Sequence, residues 1–93
     1  MDLATHFPLS LGQTVITQHA ADVLHPEDVI DAFNRHQRGA WGECCENDRK
    51  ENDVSLENGC RILSVYRDRS DTVFWIITEA DRSASTVLLP EDY

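Results

Sequence analysis

Apolar and polar positions change period along this chain, and the changes set out its elements. The longest uninterrupted apolar run, Val73-Phe74-Trp75-Ile76-Ile77-Thr78, is rich in β-branched and aromatic residues and flanked by charged, turn-forming sequence. Such a run predicts a strand with both faces at least partly covered. Arg61 to Tyr66 and Ser85 to Leu89 also read as strands. Arg67-Asp68-Arg69-Ser70-Asp71 and Glu79 to Ala84 form the connections. Together they predict an antiparallel meander towards the C-terminus.

Ahead of the meander the period lengthens to that of helices. Pro26 to Gln37 is the best amphipathic segment, with Val29, Ile30, Phe33 and His36 on one side. Pro26 suits the first helical position, Glu27 and Asp28 complement the positive N-terminal end, and Gly39 suits the C-terminal cap. A shorter helix is predicted from an N-cap at Thr17 to about Leu24, turning Ala20, Ala21, Val23 and Leu24 inward. A third runs from Asn47 to Asn58, opened by a capping box between Asp48 and Glu51 and stopped by Gly59. It is very polar, with Val54 and Leu56 as its apolar residues. Gly12 to Thr17 reads as a short strand. Met1 to Leu11 reads as an irregular lead-in whose Phe7, Leu9 and Leu11 dock on the core. Trp41, between Gly39 and Gly42, is expected to plug an edge of the core. Pro90 to Tyr93 leaves no room for further structure.

The fold class expected is α+β, with two or three short N-terminal helices packed on a three- to four-stranded antiparallel β-meander. The strands carry apolar residues on both alternations, Val73, Trp75 and Ile77 against Phe74 and Ile76. Short helices cover one face of such a sheet. The other face then calls for the N-terminal segment or a partner, so a homodimer through the sheet is expected.

Length and charge narrow the function. Ninety-three residues make a single domain, 1–93, and a hydrophobic fraction of 41% is that of a folded chain. The formal net charge of -9 opposes direct binding to nucleic acid or to an anionic membrane; it permits a protein partner with a basic surface or mimicry of nucleic acid, the plainer reading being that it confers solubility. No apolar stretch approaches the roughly 20 residues of a membrane span. The N-terminus lacks the pattern of a signal peptide. Three cysteines, Cys44, Cys45 and Cys60, make no disulfide framework, which fits the reducing cytoplasm.

Candidate chemistry concentrates on a few polar residues. His36 sits on an otherwise apolar stripe; Asp48 and Asn52 share a helical face with Leu56; Arg61 opens one predicted strand and Thr78 closes another. Brought together with Trp41, these residues form a candidate polar site, with His36 for proton transfer, Arg61 for an anion, and Asp48 or Asn52 to orient them. The competing assignment is structural: an Asp–Arg pair locking the third helix to the sheet, and His36 bonded to a backbone carbonyl. Glu43, Glu46, Asp48, Glu51, Asp53 and Glu57 form an acidic run suited to docking on a basic groove. Trp41, Glu43, Glu46, Glu51 and Trp75 are the candidate contact residues. His19, His25, His36 and the cysteines show no CxxC or HxxxH spacing, so neither metal nor cofactor is expected.

On several of these residues the chain resembles a family of short bacterial proteins of about this length, carried on proteobacterial chromosomes and mobile elements. The resemblance runs through Leu11-Gly12-Gln13, Val15, Thr17, Arg35-His36, Gly39 and Trp41-Gly42, then Asp48, Asn52, Leu56, Gly59, Arg61-Ile62-Leu63-Ser64 and Tyr66. It is most specific from Trp75 to Ser83, from Thr86 to Pro90, and at Tyr93. The cysteines depart from that pattern, which counts against a metal or thiol role. The resemblance implies a family and not an activity. A restriction-methylation role finds no cofactor-binding glycine loop here. The function expected is therefore a non-catalytic protein-binding or regulatory factor, with an accessory role in conflict between host and mobile element. The alternative is a small ribonuclease-like toxin of barnase, EndoU or colicin type using His36, with Arg35, Arg38, Arg61 and Arg82 lining a basic groove.

Overall fold

The computed structural model describes residues 9–93; Phe7 and the first part of the lead-in lie outside the described residues. In chain order the elements are β1 (Gln13–Ile16), α1 (Gln18–Val23), α2 (Pro26–Gln37), α3 (Glu46–Asn58), β2 (Ile62–Arg67), β3 (Val73–Thr78) and β4 (Ala84–Leu88). A 3-10 turn, Pro90–Asp92, follows where no further structure was expected. The class is α+β, as the periodicity indicates.

The four strands lie in the order β1-β4-β3-β2. The predicted meander is present: β2 pairs antiparallel with β3, and β3 with β4. The sheet as a whole is mixed and not purely antiparallel, because β1 joins β4 in parallel. All three helices come between β1 and β2, so the helices follow the first strand instead of preceding the sheet. A parallel partner needs a long crossover, and the helical half of the chain supplies it.

Local sequence accounts for each helix. Thr17 accepts a hydrogen bond from the amide of Ala20 and caps α1. Pro26 opens α2, with Glu27 and Asp28 in its first turn. Gly59 closes α3 at φ 71°, a left-handed conformation that glycine adopts without penalty. The N-terminus of α3 departs from the expected capping box: the helix starts at Glu46, its N-cap is Cys45, and no side chain caps it.

The helices cover one face of the sheet. There Ala20, Leu24, Val29, Ala32, Tyr66, Phe74, Ile76, Val87 and Leu89 form the larger core cluster, with Phe33 packed against it. A smaller cluster of Leu9, Trp41, Cys44 and Ile62 adjoins it, with Leu11, Leu56 and Val65 alongside. Ile30, Val23 and Ala21 are expected to point inward and do not; Ile30 is 62% exposed. Ala32 takes the inward position on α2 that the expectation gave to Ile30.

The two sheet edges are treated differently. Along β2, Trp41 accepts from the amide of Val65, and the amide of Glu43 donates to the Val65 carbonyl, so residues 41–43 act as a short extra strand. Gly42 permits this approach, because a Cβ there would collide with the Val65 carbonyl. Along β1 no such cover exists among the described residues, and all four residues of the strand are exposed.

Candidate functional site

The expected polar cluster separates into two places. Its buried half is centred on His36, which is fully enclosed together with Ser64, Thr78 and Ser85. His36 lies on the inner face of α2, and Ser64, Thr78 and Ser85 on the inner alternation of β2, β3 and β4. Its Nδ1 is bonded to Ser64 Oγ and its Nε2 lies 2.8 Å from Thr78 Oγ1. Thr78 Oγ1 is 2.7 Å from Ser85 Oγ, which donates to the Leu11 carbonyl at 2.8 Å.

The directions of these bonds follow from proton counting. Each hydroxyl carries one proton. Ser85 spends its own on Leu11, so Thr78 donates to Ser85 and must accept from His36 Nε2–H. Nδ1 then bears the lone pair and accepts from Ser64. Burial pushes the imidazole pKa down to about 4, with the Arg82 charge adding to the effect. The ring is therefore neutral at pH 7 and fixed as one tautomer. Trp41 lies edge-on to it, with ring centroids 5.6 Å apart. This chain ties α2, the meander and the lead-in together through hydroxyls. The expected bond from His36 to a backbone carbonyl is replaced by these two hydroxyl partners.

The other half is open. Asp48, Asn52 and Arg61 line a cleft of about 280 Å³ with Glu51, Ser55 and Leu63, between α3 and β2. Asn52 is buried, and its Nδ2 donates to the Leu63 carbonyl at 2.8 Å, capping the edge of β2. Arg61 turns to Tyr93, donating to its hydroxyl at 3.1 Å, and to Glu79 at 3.9 Å. The expected Asp–Arg lock of α3 onto the sheet is not the arrangement found. Arg82 does that work instead, donating to the carbonyls of Ser55, Cys60 and Glu79.

Around the cleft the acidic residues stand outward. Glu43, Glu46, Asp48, Glu51, Asp53 and Glu57 are all exposed. Asp53 accepts from Trp41 Nε1 at 2.9 Å, and Glu43 pairs with Arg67 at 2.9 Å. Glu46 has Lys50 one turn away. Arg49 folds back onto the carbonyls of Cys44 and Gly42. No ion pair involves Asp48, Glu51 or Glu57 among the described residues, so their charge faces solvent. Trp75 is half-buried on the opposite sheet face, edge-on to Tyr93 at 5.8 Å. Trp41 is buried and packs in the smaller core cluster.

The remaining candidates lie apart. Arg35 stacks over Tyr66 at 5.1 Å and is 3.9 Å from Asp31, while Arg82 is turned to backbone. His19 pairs with Asp92 at 2.8 Å, a bond that raises its pKa, and His25 meets Ser70 at 3.1 Å. Cys44 is buried, and burial pushes its thiol pKa up; Cys45 and Cys60 are exposed thiols. Among the described residues no three His, Cys, Asp or Glu side chains converge in a way that could hold a metal ion. Ser64 and Ser85 are the site residues that sequence reasoning missed. Their signal was a serine on the inward alternation of an otherwise apolar strand.

Set against protein-family models, curated proteins and solved structures, the chain matches none of them. No helix among the described residues is long and apolar enough to cross a membrane.

Proposed function

We propose that the chain is a non-catalytic binding factor that docks the acidic face of α3 onto a basic surface of another protein in the cytoplasm. One observation carries the reading: Asp48, Glu51 and Glu57 present carboxylates to solvent with no ion-pair partner among the described residues, on a helix tied to β2 by Asn52 and packed on the smaller core cluster through Leu56. Such a face accelerates encounter with a cationic partner and loses affinity as salt screens it. The accessory role on mobile elements implied by the resemblance is part of this reading. The ribonuclease reading is less well supported, because the base it requires, His36, is fully enclosed and bonded on both nitrogens.

The test is capture from a native host with the wild-type chain and with Asp48→Lys/Glu51→Lys/Glu57→Lys. A stoichiometric partner, released by salt and lost with the charge-reversed chain, is the expected result. An equal yield from both chains would remove α3 as the docking face. RNA cleavage by the pure protein, abolished in His36→Ala, would replace this reading with the other.

A further inference from the structure

Natural sheets cover, charge or twist their edges, because a bare edge invites another strand. Here β2 is covered by residues 41–43 and by Asn52, whereas among the described residues nothing pairs with the outer edge of β1. In the parallel register the amide of Gln13 donates to Ser83 and that of Thr17 to Val87, so Gln13, Val15 and Thr17 face β4. Thr14 and Ile16 therefore point their N–H and C=O groups away from the sheet. No hydrogen bond reaches these groups among the described residues. The strand is Gln-Thr-Val-Ile, β-branched at three of its four positions, with Val15 40% and Ile16 39% exposed. It carries neither the charge nor the proline that normally protects an edge.

Beside this edge runs a groove of about 290 Å³, lined by Ile16, Ala21, Leu24, Pro26, Val29 and Ile30. None of these residues is charged. From Gln13 to Ala21 the chain has no Asp, Glu, Lys or Arg, although 27% of its residues are charged and its net charge is -9. A like-charged copy is repelled by most of this surface and can approach closely only where charge is missing.

We propose that the edge of β1 pairs with the β1 edge of a second copy, antiparallel about a two-fold axis at Val15. The register closes on itself. Thr14 meets Ile16 of the second copy and Ile16 meets its Thr14, so the two donors and two acceptors of each copy make four inter-chain hydrogen bonds. Val15 meets Val15 at the close, non-hydrogen-bonded position. The axis is perpendicular to the sheet, so both sets of helices lie on one side. Each Ile16 side chain, projecting to that side with Val87, then helps to close the neighbouring groove. The β2 edges end up farthest from the axis, which places one acidic α3 face at each end of the assembly. This pairing is independent of whether α3 binds a partner.

Sedimentation of the pure, full chain over a range of micromolar concentrations tests it, at low and at high salt. A dimer is expected that tightens as salt rises, because screening relieves repulsion between two chains of charge -9. Val15→Lys, and separately Thr14→Pro, which removes one outward N–H and no bond to β4, should halve the mass. Val54→Lys, at an exposed apolar position on α3, should leave the dimer intact. Hydrogen exchange should show the Thr14 and Ile16 amides speeding up roughly tenfold or more in Val15→Lys, while β3 amides do not change. A monomer under all conditions overturns the proposal. So does a dimer that survives both edge substitutions, which would belong to another face.

Discussion

Nε2 of His36 and Oγ1 of Thr78 lie 2.8 Å apart in the interior, and this contact joins the helical layer to the central strand of the meander. Both residues are fully enclosed. Thr78→Val preserves shape and removes only the hydroxyl. It strands the imidazole N–H and leaves Ser85 without its donor, so a loss of about 2–3 kcal/mol is expected. Ser64→Ala removes the donor to Nδ1 and should cost about 1–2 kcal/mol. Chemical denaturation of the two variants and the double variant checks this. Strict additivity would show that His36 does not link the two hydroxyls.

The same ring makes stability depend on pH. Its folded pKa, about 4, lies below the ordinary value of 6.5. A histidine depressed in this way contributes full stability above pH 6.5 and loses it as pH falls towards 4, because the unfolded chain takes up the proton first. At about 1.36 kcal/mol per unit, the loss is on the order of 3 kcal/mol. Urea denaturation at pH 7 and pH 4.5 should show most of it. In His36→Gln the drop over that interval should shrink markedly; an unchanged drop would assign the acid sensitivity to other groups.

Gly42 stands at φ 71° with its α-carbon against the Val65 carbonyl and the Tyr66 ring. Gly42→Ala must therefore break the bridge between residues 41–43 and β2, or push β2 aside. A loss of at least about 2 kcal/mol is expected, from backbone strain together with the lost bonds. Trp41 depends on this segment for its place beside His36 and its bond to Asp53. Its fluorescence should shift to the red as it gains water. A stable variant with unshifted emission would show that the bridge does not position Trp41.

Much of this architecture is legible locally, and the rest is not for identifiable reasons. The run from Val73 to Thr78 and the stripe through Val29, Phe33 and His36 carry their periods in plain view. The parallel partner of β1 does not, since residues 13–16 and 84–87 meet only after the whole helical segment has folded back. Ile30 looks inward by hydrophobicity, yet the face of α2 that meets the sheet runs through Val29, Ala32 and His36, and Ile30 lies off it. Among the candidate residues His36 and Thr78 do meet, while Asp48, Asn52 and Arg61 gather elsewhere. Periodicity assigns a residue to a face, and it does not say which faces of separate elements will touch.

Asp68 and Arg69 are adjacent in the loop after β2, and both make several polar contacts, but the consequences of removing them should differ sharply. Asp68 is buried and its carboxylate accepts from the amides of His25, Ser70 and Thr72 at 2.9–3.2 Å. Burial alone would raise its pKa, but the donated amides of Thr72, His25 and Ser70 outweigh that and hold it low. Asp68→Ala would orphan three backbone donors and release the start of α2 from the β2–β3 loop. A loss of about 3 kcal/mol is expected. Arg69 pairs with Asp28 at 3.0 Å and Glu27 at 3.2 Å, but its side chain is half in solvent. Arg69→Ala should cost far less than Asp68→Ala, and less still as salt is added. Thermal unfolding of the two variants decides the matter. Equal losses would mean that the surface ion pairs, and not the buried carboxylate, anchor α2 to the sheet.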